Sequence, residues 1–267
     1  MIGELLEDKE ERAVSRRRPH LSFSQIDRYF RCPEQYRLYY IEGLRLKIPK
    51  ANLVFGQVLH HALAGLFGEQ EDPVKYFLEV WDALKKADLA YGKKESWEKL
   101  KASGEGLLGK FLKEELPRIS EIEAPEKPFE LNITGIDLPL IGFIDLIAKI
   151  DGKKTIADFK SSIKKYGEHE APLSDQLTAY KLAEPEAEQL AFWVFIKTEQ
   201  PKIEWHPTNR SPKELTEFLW KAGYAAREIK VGNFYKRSGM HCSWCDFLPV
   251  CLGDEKRVEE TLVRIHH

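Results

Sequence analysis

Apolar positions along the chain change period several times, and each change predicts an element. Residues 51–68, A-N-L-V-F-G-Q-V-L-H-H-A-L-A-G-L-F-G, repeat at helical spacing. Val54, Val58, Leu59, Ala62, Leu66 and Phe67 then form one buried stripe, with Asn52 as the expected cap and Gly68 as the stop. Residues 21–47 predict two short helices, because Pro33 interrupts the run just after Cys32. Ser22 or Ser24 can cap the first. Tyr29, Tyr36, Tyr39 and Tyr40 recur at helical spacings and are expected to pack inward. Residues 72–120 are amphipathic and punctuated by Pro73, Pro117 and the glycines from Gly104 to Gly109, which predicts two or three covering helices. Glu121 to Pro128 is polar and proline-containing and reads as a linker.

Strand-like runs follow at 128–136, 138–150 and 153–161. Pro172 to Ala183 predicts a helix capped by Ser174, with Gln176 and Tyr180 on one face at i, i+4. Leu190 to Lys197 is continuously apolar, as in a strand buried on both faces. Residues 202–207 read as an edge strand. Residues 211–231 read as a helix with Ser211 as cap and Pro212 in the first turn. This order of elements predicts an α/β fold with a sheet of mixed direction.

The most informative stretch is Ile141 to Ser161. Asp151-Gly152 between apolar and β-branched runs signals a two-residue type I′ hairpin turn. That turn pairs Ile150 with Lys153, Ile147 with Ile156 and Phe143 with Lys160, and puts Asp145 directly across from Asp158. Ile144, Leu146, Ala148 and Ile150 with Phe159, Ala157 and Thr155 would form the core face. Carboxylates opposed across a sheet repel each other. A hard divalent cation can bind both, and Lys160, on the same face as Asp158, can stabilise charge on a phosphate. Asp…Asp-x-Lys therefore suggests metal-assisted phosphodiester hydrolysis. A four-residue loop would instead put Asp145 opposite Lys160 as an ordinary ion pair, and a three-residue loop would put the aspartates on opposite faces. The hairpin alone leaves these readings open.

At 267 residues and 43% apolar composition the chain supports one large domain, or one domain with an appendage. Charged residues are 31%, yet the net charge is −2, so affinity for nucleic acid must come from local basic patches. Lys160, Lys164 and Lys165 form one such group, while Lys153 and Lys154 mark the far end of the hairpin. No run of 18 apolar residues predicts a membrane span, and Met1 to Arg18 lacks the apolar core of a secretory signal. A cytoplasmic location follows as the expectation. His266-His267 is given no role.

Four cysteines in a reducing compartment suggest metal ligands rather than disulfides. Cys242, Cys245 and Cys251 have the spacing C-x2-C-x5-C, and Cys32 is the fourth. Structural zinc and an iron–sulfur cluster are both candidates. Trp244, Phe247, Leu248, Pro249 and Val250 would shield a cluster, which tilts the reading towards iron–sulfur.

With these residues in view, the chain resembles the RecB-like branch of the PD-(D/E)XK nuclease superfamily, and its iron–sulfur members in particular. Those include the AddB nuclease domain and the CRISPR-associated adaptation exonucleases. The resemblance runs from about Leu21 to Cys251. A serine-bearing helix, Cys-Pro and a tyrosine-rich helix match Leu21 to Tyr40; G-x-x-x-H matches Gly56 to His60; G-x-x-D matches Gly142 to Asp145. D-x-K matches Asp158 to Lys160, and Q-x-x-x-Y matches Gln176 to Tyr180.

The resemblance implies a restriction-endonuclease-like mixed sheet flanked by helices. It implies that His60, Asp145, Asp158 and the Phe159 carbonyl bind Mn²⁺ or Mg²⁺. Lys160 would position the attacking water, and Gln176 and Tyr180 would orient the DNA backbone. A [4Fe–4S] cluster on Cys32, Cys242, Cys245 and Cys251, with structural zinc as the alternative, would join the N- and C-terminal segments. The expected organisation is a flexible charged arm at 1–19, N-terminal helices at 20–50 and a core helix at 51–71. A helical insertion at 72–127, an α/β core at 128–231 and a cluster-binding segment at 232–267 complete it. The implied activity is a DNA exonuclease acting on single-stranded ends in repair or recombination, or a nuclease that trims DNA for CRISPR adaptation. No membrane is involved, and any helicase or adaptation partner would be a separate protein. The rival from another class is a non-catalytic DNA-binding iron–sulfur module.

Overall fold

Asp151 and Gly152 both have positive φ, +49° and +82°, so the hairpin turn has the left-handed backbone that Asp-Gly favours. It joins β4 (Leu140–Ile150) to β5 (Lys153–Ser162). The register pairs Ile150 with Lys153, Ile147 with Ile156 and Leu146 with Ala157, as the two-residue turn requires. This is a computed structural model, and it describes residues 19–265. The charged arm expected at 1–19 lies outside the described residues except for Pro19.

The other strands are β1 (Leu21–Ser22), β2 (Leu44–Leu46), β3 (Ile119–Leu131), β6 (Gln189–Ile196), β7 (Lys202–Thr208) and β8 (Leu262–Arg264). The larger sheet is six-stranded and mixed, in the order β1-β4-β5-β6-β7, with β3 paired to β4. β5 and β6 run parallel, and β7 closes antiparallel on β6. The described residues divide into two compact units. One comprises 50–129 and 143–215; the other comprises 19–49, 130–142 and 216–265.

In the first unit, helix α3 (Ala51–Gly68) follows α1 and α2 of the second unit in the chain and buries its apolar stripe. Its start is Lys50, without a side-chain cap, so Asn52 lies inside the helix rather than capping it. α4 (Pro73–Ala83) and α5 (Trp97–Lys110) cover it, and Asp72 and Ser96 cap them through backbone N–H groups. Phe55, Phe77 and Trp81 pack with the β4–β6 residues Leu146, Phe159 and Trp193 as one core. Helix α6 (Asp175–Ala183), capped by Ser174, contributes Leu177 and Tyr180 to a second core with Ile147, Ile156 and Phe192. The hairpin is therefore buried on both faces, not on one as its alternation suggested. Ile144 joins Ile147 in the second core, although two residues along from Leu146 in the first. The simple alternation breaks next to Asp145.

Three boundaries differ from expectation. The polar segment 121–128 is not a linker but most of β3, so the helical insertion ends at Arg118 rather than 127. β3 has no fully buried residue and, among the described residues, pairs only with β4. An edge strand of that kind tolerates Pro125 and Pro128, which cannot donate to a ladder. The next helix begins at Asp175 rather than 172, where Ser174 accepts the Leu177 N–H.

In the second unit, α1 (Phe23–Arg31) is capped by Ser22 and ends at Cys32; α2 (Pro33–Tyr36) continues as a wider turn to Ile41. The N- and C-terminal segments are joined by packing. Tyr36 stacks on Phe234, the Glu34 N–H donates to the Tyr235 carbonyl at 3.0 Å, and β2 pairs with β8. Helix α7 (Pro212–Lys230), most of it in this unit, precedes the short helices α8 (Leu248–Leu252) and α9 (Glu255–Thr261). Among the described residues no helix is long and apolar enough to cross a membrane.

Candidate active site

The site forms where β4 and β5 part. Their ladder runs from the turn to Leu146 and Ala157. One step beyond, the Phe159 N–H donates to Asp145 Oδ2 at 2.9 Å instead of to a backbone carbonyl of β4. A side-chain carboxylate thus substitutes for a ladder acceptor, which satisfies the buried amide and lets the strands separate. Asp145 is 6% exposed and Asp158 is 1% exposed.

His60 reaches Asp145 from α3, with Nδ1 3.3 Å from Oδ2. Gly56, one turn earlier, explains the close approach of this helix: a Cβ there would lie 3.0 Å from Ser161 Oγ on β5. The His60 ring stands edge-on to Phe159, whose ring stacks on Trp193 in the core.

Asp158 is held mainly by α6. Gln176 Nε2 donates to Asp158 Oδ1 at 2.8 Å and to the Tyr180 hydroxyl at 2.7 Å, and the Tyr180 O–H reaches Oδ1 at 3.1 Å. Gln176 Oε1 accepts from Lys160 Nζ at 2.7 Å. The i, i+4 placement of Gln176 and Tyr180 brings both onto one carboxylate. Lys160 Nζ also lies 2.6 Å from Asp158 Oδ2, yet that oxygen accepts no well-aligned hydrogen bond and is buried. The short distance makes it an ion pair; the poor alignment leaves the oxygen with a lone pair unused.

Burial and charge oppose each other here. Burial, together with the nearby Asp145 carboxylate, pushes the Asp158 carboxyl above the ordinary aspartate range despite Lys160. Burial works against the Lys160 ammonium, but Asp158 and Asp145 outweigh it and hold its pKa above the usual lysine value. Burial, then Asp158 and Asp145, hold the Tyr180 phenol well above its ordinary range, so it stays a donor. Two buried carboxylates thus stand together with the Lys160 ammonium and the His60 imidazole beside them. Two oxygens from opposed strands and an imidazole are a donor set that suits a hard divalent cation. Among the described residues no three His, Cys, Asp or Glu side chains are drawn together as a metal-holding group, so the fit rests on donor chemistry and the open oxygen.

All seven residues singled out on the motifs, His60, Asp145, Asp158, Phe159, Lys160, Gln176 and Tyr180, are therefore linked through one network. Residues 20–252 match the PD-(D/E)XK nuclease superfamily. The chain belongs to that superfamily. PD-(D/E)XK nucleases are hydrolases that generally use divalent metals such as Mg²⁺ or Mn²⁺. Among solved structures, a candidate exonuclease from Eubacterium rectale is similar in fold, with 14% identity, a TM-score of 0.52, and coverage of 80% of this chain and 81% of that one. The structure of SSO0001 covers 94% of this chain and 96% of its own at 18% identity, with a TM-score of 0.49. No curated protein matches the chain significantly.

Some participants were not singled out by motif. Phe192 lies beside Asp158 in the parallel register, and Lys160 Nζ sits 5.3 Å from its ring centroid. Arg210 is buried and donates to Thr178 Oγ1 at 2.7 Å and to the Ala171 and Ser174 carbonyls at 2.8 Å each, anchoring the start of α6. The alternation of β6 could have pointed to Phe192; nothing local marks Arg210.

The cysteines lie in the second unit. Cys32 is buried between α1 and α2, Cys242 and Cys245 flank a tight turn, and Cys251 is on α8. Burial pushes the Cys251 thiol up, Lys236 opposes this, and Cys245, Glu34 and Cys32 add to it. Gln35 Nε2 donates to Cys245 Sγ at 3.4 Å. Cys251 thus lies within electrostatic reach of Cys245 and of Cys32, but among the described residues no three His, Cys, Asp or Glu side chains are drawn together as a metal-holding group here either.

Proposed function

We propose that the chain is a divalent-metal-dependent DNA exonuclease that hydrolyses phosphodiester bonds from single-stranded ends. The observation that carries the reading is the buried carboxylate pair Asp145 and Asp158, with Lys160 and His60 attached to it. Asp145 satisfies the Phe159 amide, but an amide side chain could do the same; the second buried carboxylate beside it costs the fold, whereas a metal-dependent phosphodiesterase needs both. His60, Asp145 and Asp158, with the Phe159 carbonyl, would hold Mn²⁺ or Mg²⁺, which when bound would supply Lewis acidity towards a phosphate. Lys160 donates to Gln176 and faces Asp158, so its ammonium is held ready to stabilise developing negative charge on the phosphoryl group. Gln176 and Tyr180 fix the orientation of Asp158 and keep water from competing for Oδ1. A non-catalytic DNA-binding module is disfavoured, because paired carboxylates weaken binding to a phosphate backbone.

Exonuclease action goes with the RecB-like resemblance and with the name of the Eubacterium rectale neighbour. A role in repair or recombination is the preferred context, and trimming for CRISPR adaptation is the alternative. The cysteine quartet is proposed to hold a [4Fe–4S] cluster that stabilises the second unit. End-labelled and covalently closed single-stranded DNA, each incubated with Mn²⁺, test the reading. Degradation of linear strands with closed circles left intact is expected; efficient cutting of circles would make the enzyme an endonuclease.

A further inference from the structure

A cavity of about 1000 Å³ opens within the first unit, beyond the end of β5, the strand that carries Asp158 and Lys160. We propose that it holds the unpaired segment of a single-stranded DNA substrate, next to the bond being cut. The inference rests on the nuclease reading above and specifies its substrate.

The cavity adjoins the site along the chain itself. Ile163, one of its walls, follows Lys160 by three residues, about 10 Å along an extended strand. Lys197, another wall, donates its N–H to the Ser162 carbonyl at 2.8 Å, which fixes it to the end of β5. Lys50 and Asn52, at the start of α3, form a third side, so the helix that presents His60 begins at this cavity. The positive end of the helix dipole lies on that side, although the Ala51, Leu53 and Val54 N–H groups are already taken by the Ala90 and Lys50 carbonyls.

The lining matches a polyanion that carries flat apolar groups. The lining holds five lysines, Lys50, Lys93, Lys94, Lys99 and Lys197, and two acids, Glu95 and Glu199. In a chain of net charge −2 this is a local concentration of positive charge. Between the lysines lie Tyr91, Leu100 and Ile163, and Tyr91 and Ile163 are 37% and 55% exposed. Lys197 is half-buried, with Nζ 4.8 Å from the Phe55 ring centroid; burial lowers its pKa and Glu95 opposes that. Glu95 Oε2 accepts the Gly92 N–H at 2.9 Å, which ties one of the two lining carboxylates to the loop.

A duplex keeps its base faces stacked inside and can offer this cavity only phosphates. An unpaired strand offers phosphates to the lysines and base faces to the exposed Tyr91 and Ile163. A second, smaller cavity of about 610 Å³ shares Ile163, Thr198, Glu199 and Pro201 with the first and adds Lys110, Lys165 and Lys202, extending the basic path. Lys165 belongs to this path, in line with the basic group expected from the sequence.

The test compares wild type with the triple variant Lys93→Ala, Lys94→Ala, Lys99→Ala, and with Tyr91→Ala. Two Mn²⁺-dependent reactions are measured: cleavage of a short single-stranded oligonucleotide and of bis(4-nitrophenyl) phosphate, which is too small to reach the cavity. The ratio of kcat/KM for oligonucleotide over small diester is expected to fall at least about tenfold in the triple variant. Its affinity should also lose salt dependence, by roughly 0.7 in slope for each phosphate contact removed. Tyr91→Ala should lower the same ratio without changing that slope. An unchanged ratio in both variants overturns the inference while leaving the nuclease reading standing. Blunt duplex competing as well as single strand in EDTA also overturns it. A wild type that cleaves neither substrate overturns the nuclease reading and this inference together.

Discussion

The carboxylate of Asp145 accepts the backbone N–H of Phe159 at 2.9 Å, one residue beyond Asp158 on the neighbouring strand. This bond takes over a place in the sheet ladder, and it holds two aspartates near each other where the strands part. Folding alone would select against that arrangement, because opposed like charges destabilise a sheet.

Removing one of these charges should therefore not weaken the metal-free protein. Asp145→Asn keeps an acceptor for Phe159 and leaves Asp158 paired with Lys160. In EDTA its Tm should equal or exceed that of wild type. Mn²⁺ at a hundredfold its Kd should raise the wild-type Tm by roughly 5 °C and leave the variant's nearly unmoved. A variant several degrees less stable in EDTA would mean that Asp145 serves the fold.

Lys160→Ala should lower kcat by about 10²- to 10³-fold, the size of effect expected for a group stabilising developing charge. Calorimetry should show that Mn²⁺ affinity is kept or strengthened, since one competing cation is gone. Loss of Mn²⁺ binding would recast Lys160 as the residue that holds Asp158 in place.

The hairpin was legible because Asp-Gly sets turn and register together, and the structure reproduces each pairing from Ile150–Lys153 to Leu146–Ala157; the ladder stops there, short of the expected Asp145–Asp158 and Phe143–Lys160 pairs. Burial of its second face was not, because the covering residues Leu177 and Tyr180 lie on a helix that is distant in sequence. β3 was misread as a linker because Pro125 and Pro128 signal breaks unless the strand is known to be an edge. Of the site, the motif residues were visible through their spacing. Arg210 and the lysines at 50, 93, 94, 99 and 197 were not, since only tertiary contact brings them to α6 and to one cavity.

Acid should weaken the second unit through Glu34, which is held below the usual carboxylate range chiefly by its hydrogen bonds from Arg37. A depressed folded pKa contributes stability above the unfolded value, and that stability is lost as pH falls through the folded value. Glu34→Gln should cost about 2 kcal/mol at pH 7. The cost should shrink progressively below the ordinary glutamate pKa. An equal cost at pH 7 and in strong acid would show that the charge is not what matters.

If the cysteine quartet holds the proposed cluster, anaerobically purified protein should be brown and carry iron and acid-labile sulfide. Cys32→Ser should lose both along with the fold of the second unit. About one zinc per chain with no iron would decide for a structural zinc site.

The central claim is that Asp158 works with a divalent metal to cut DNA. Its most direct test is single-turnover cleavage of end-labelled single-stranded DNA by wild type and Asp158→Asn, each with Mn²⁺ and with EDTA. Cleavage by wild type with Mn²⁺ alone, and loss of at least about 10³-fold in Asp158→Asn, is the predicted result. Undiminished cleavage by Asp158→Asn, or by wild type in EDTA, would contradict it.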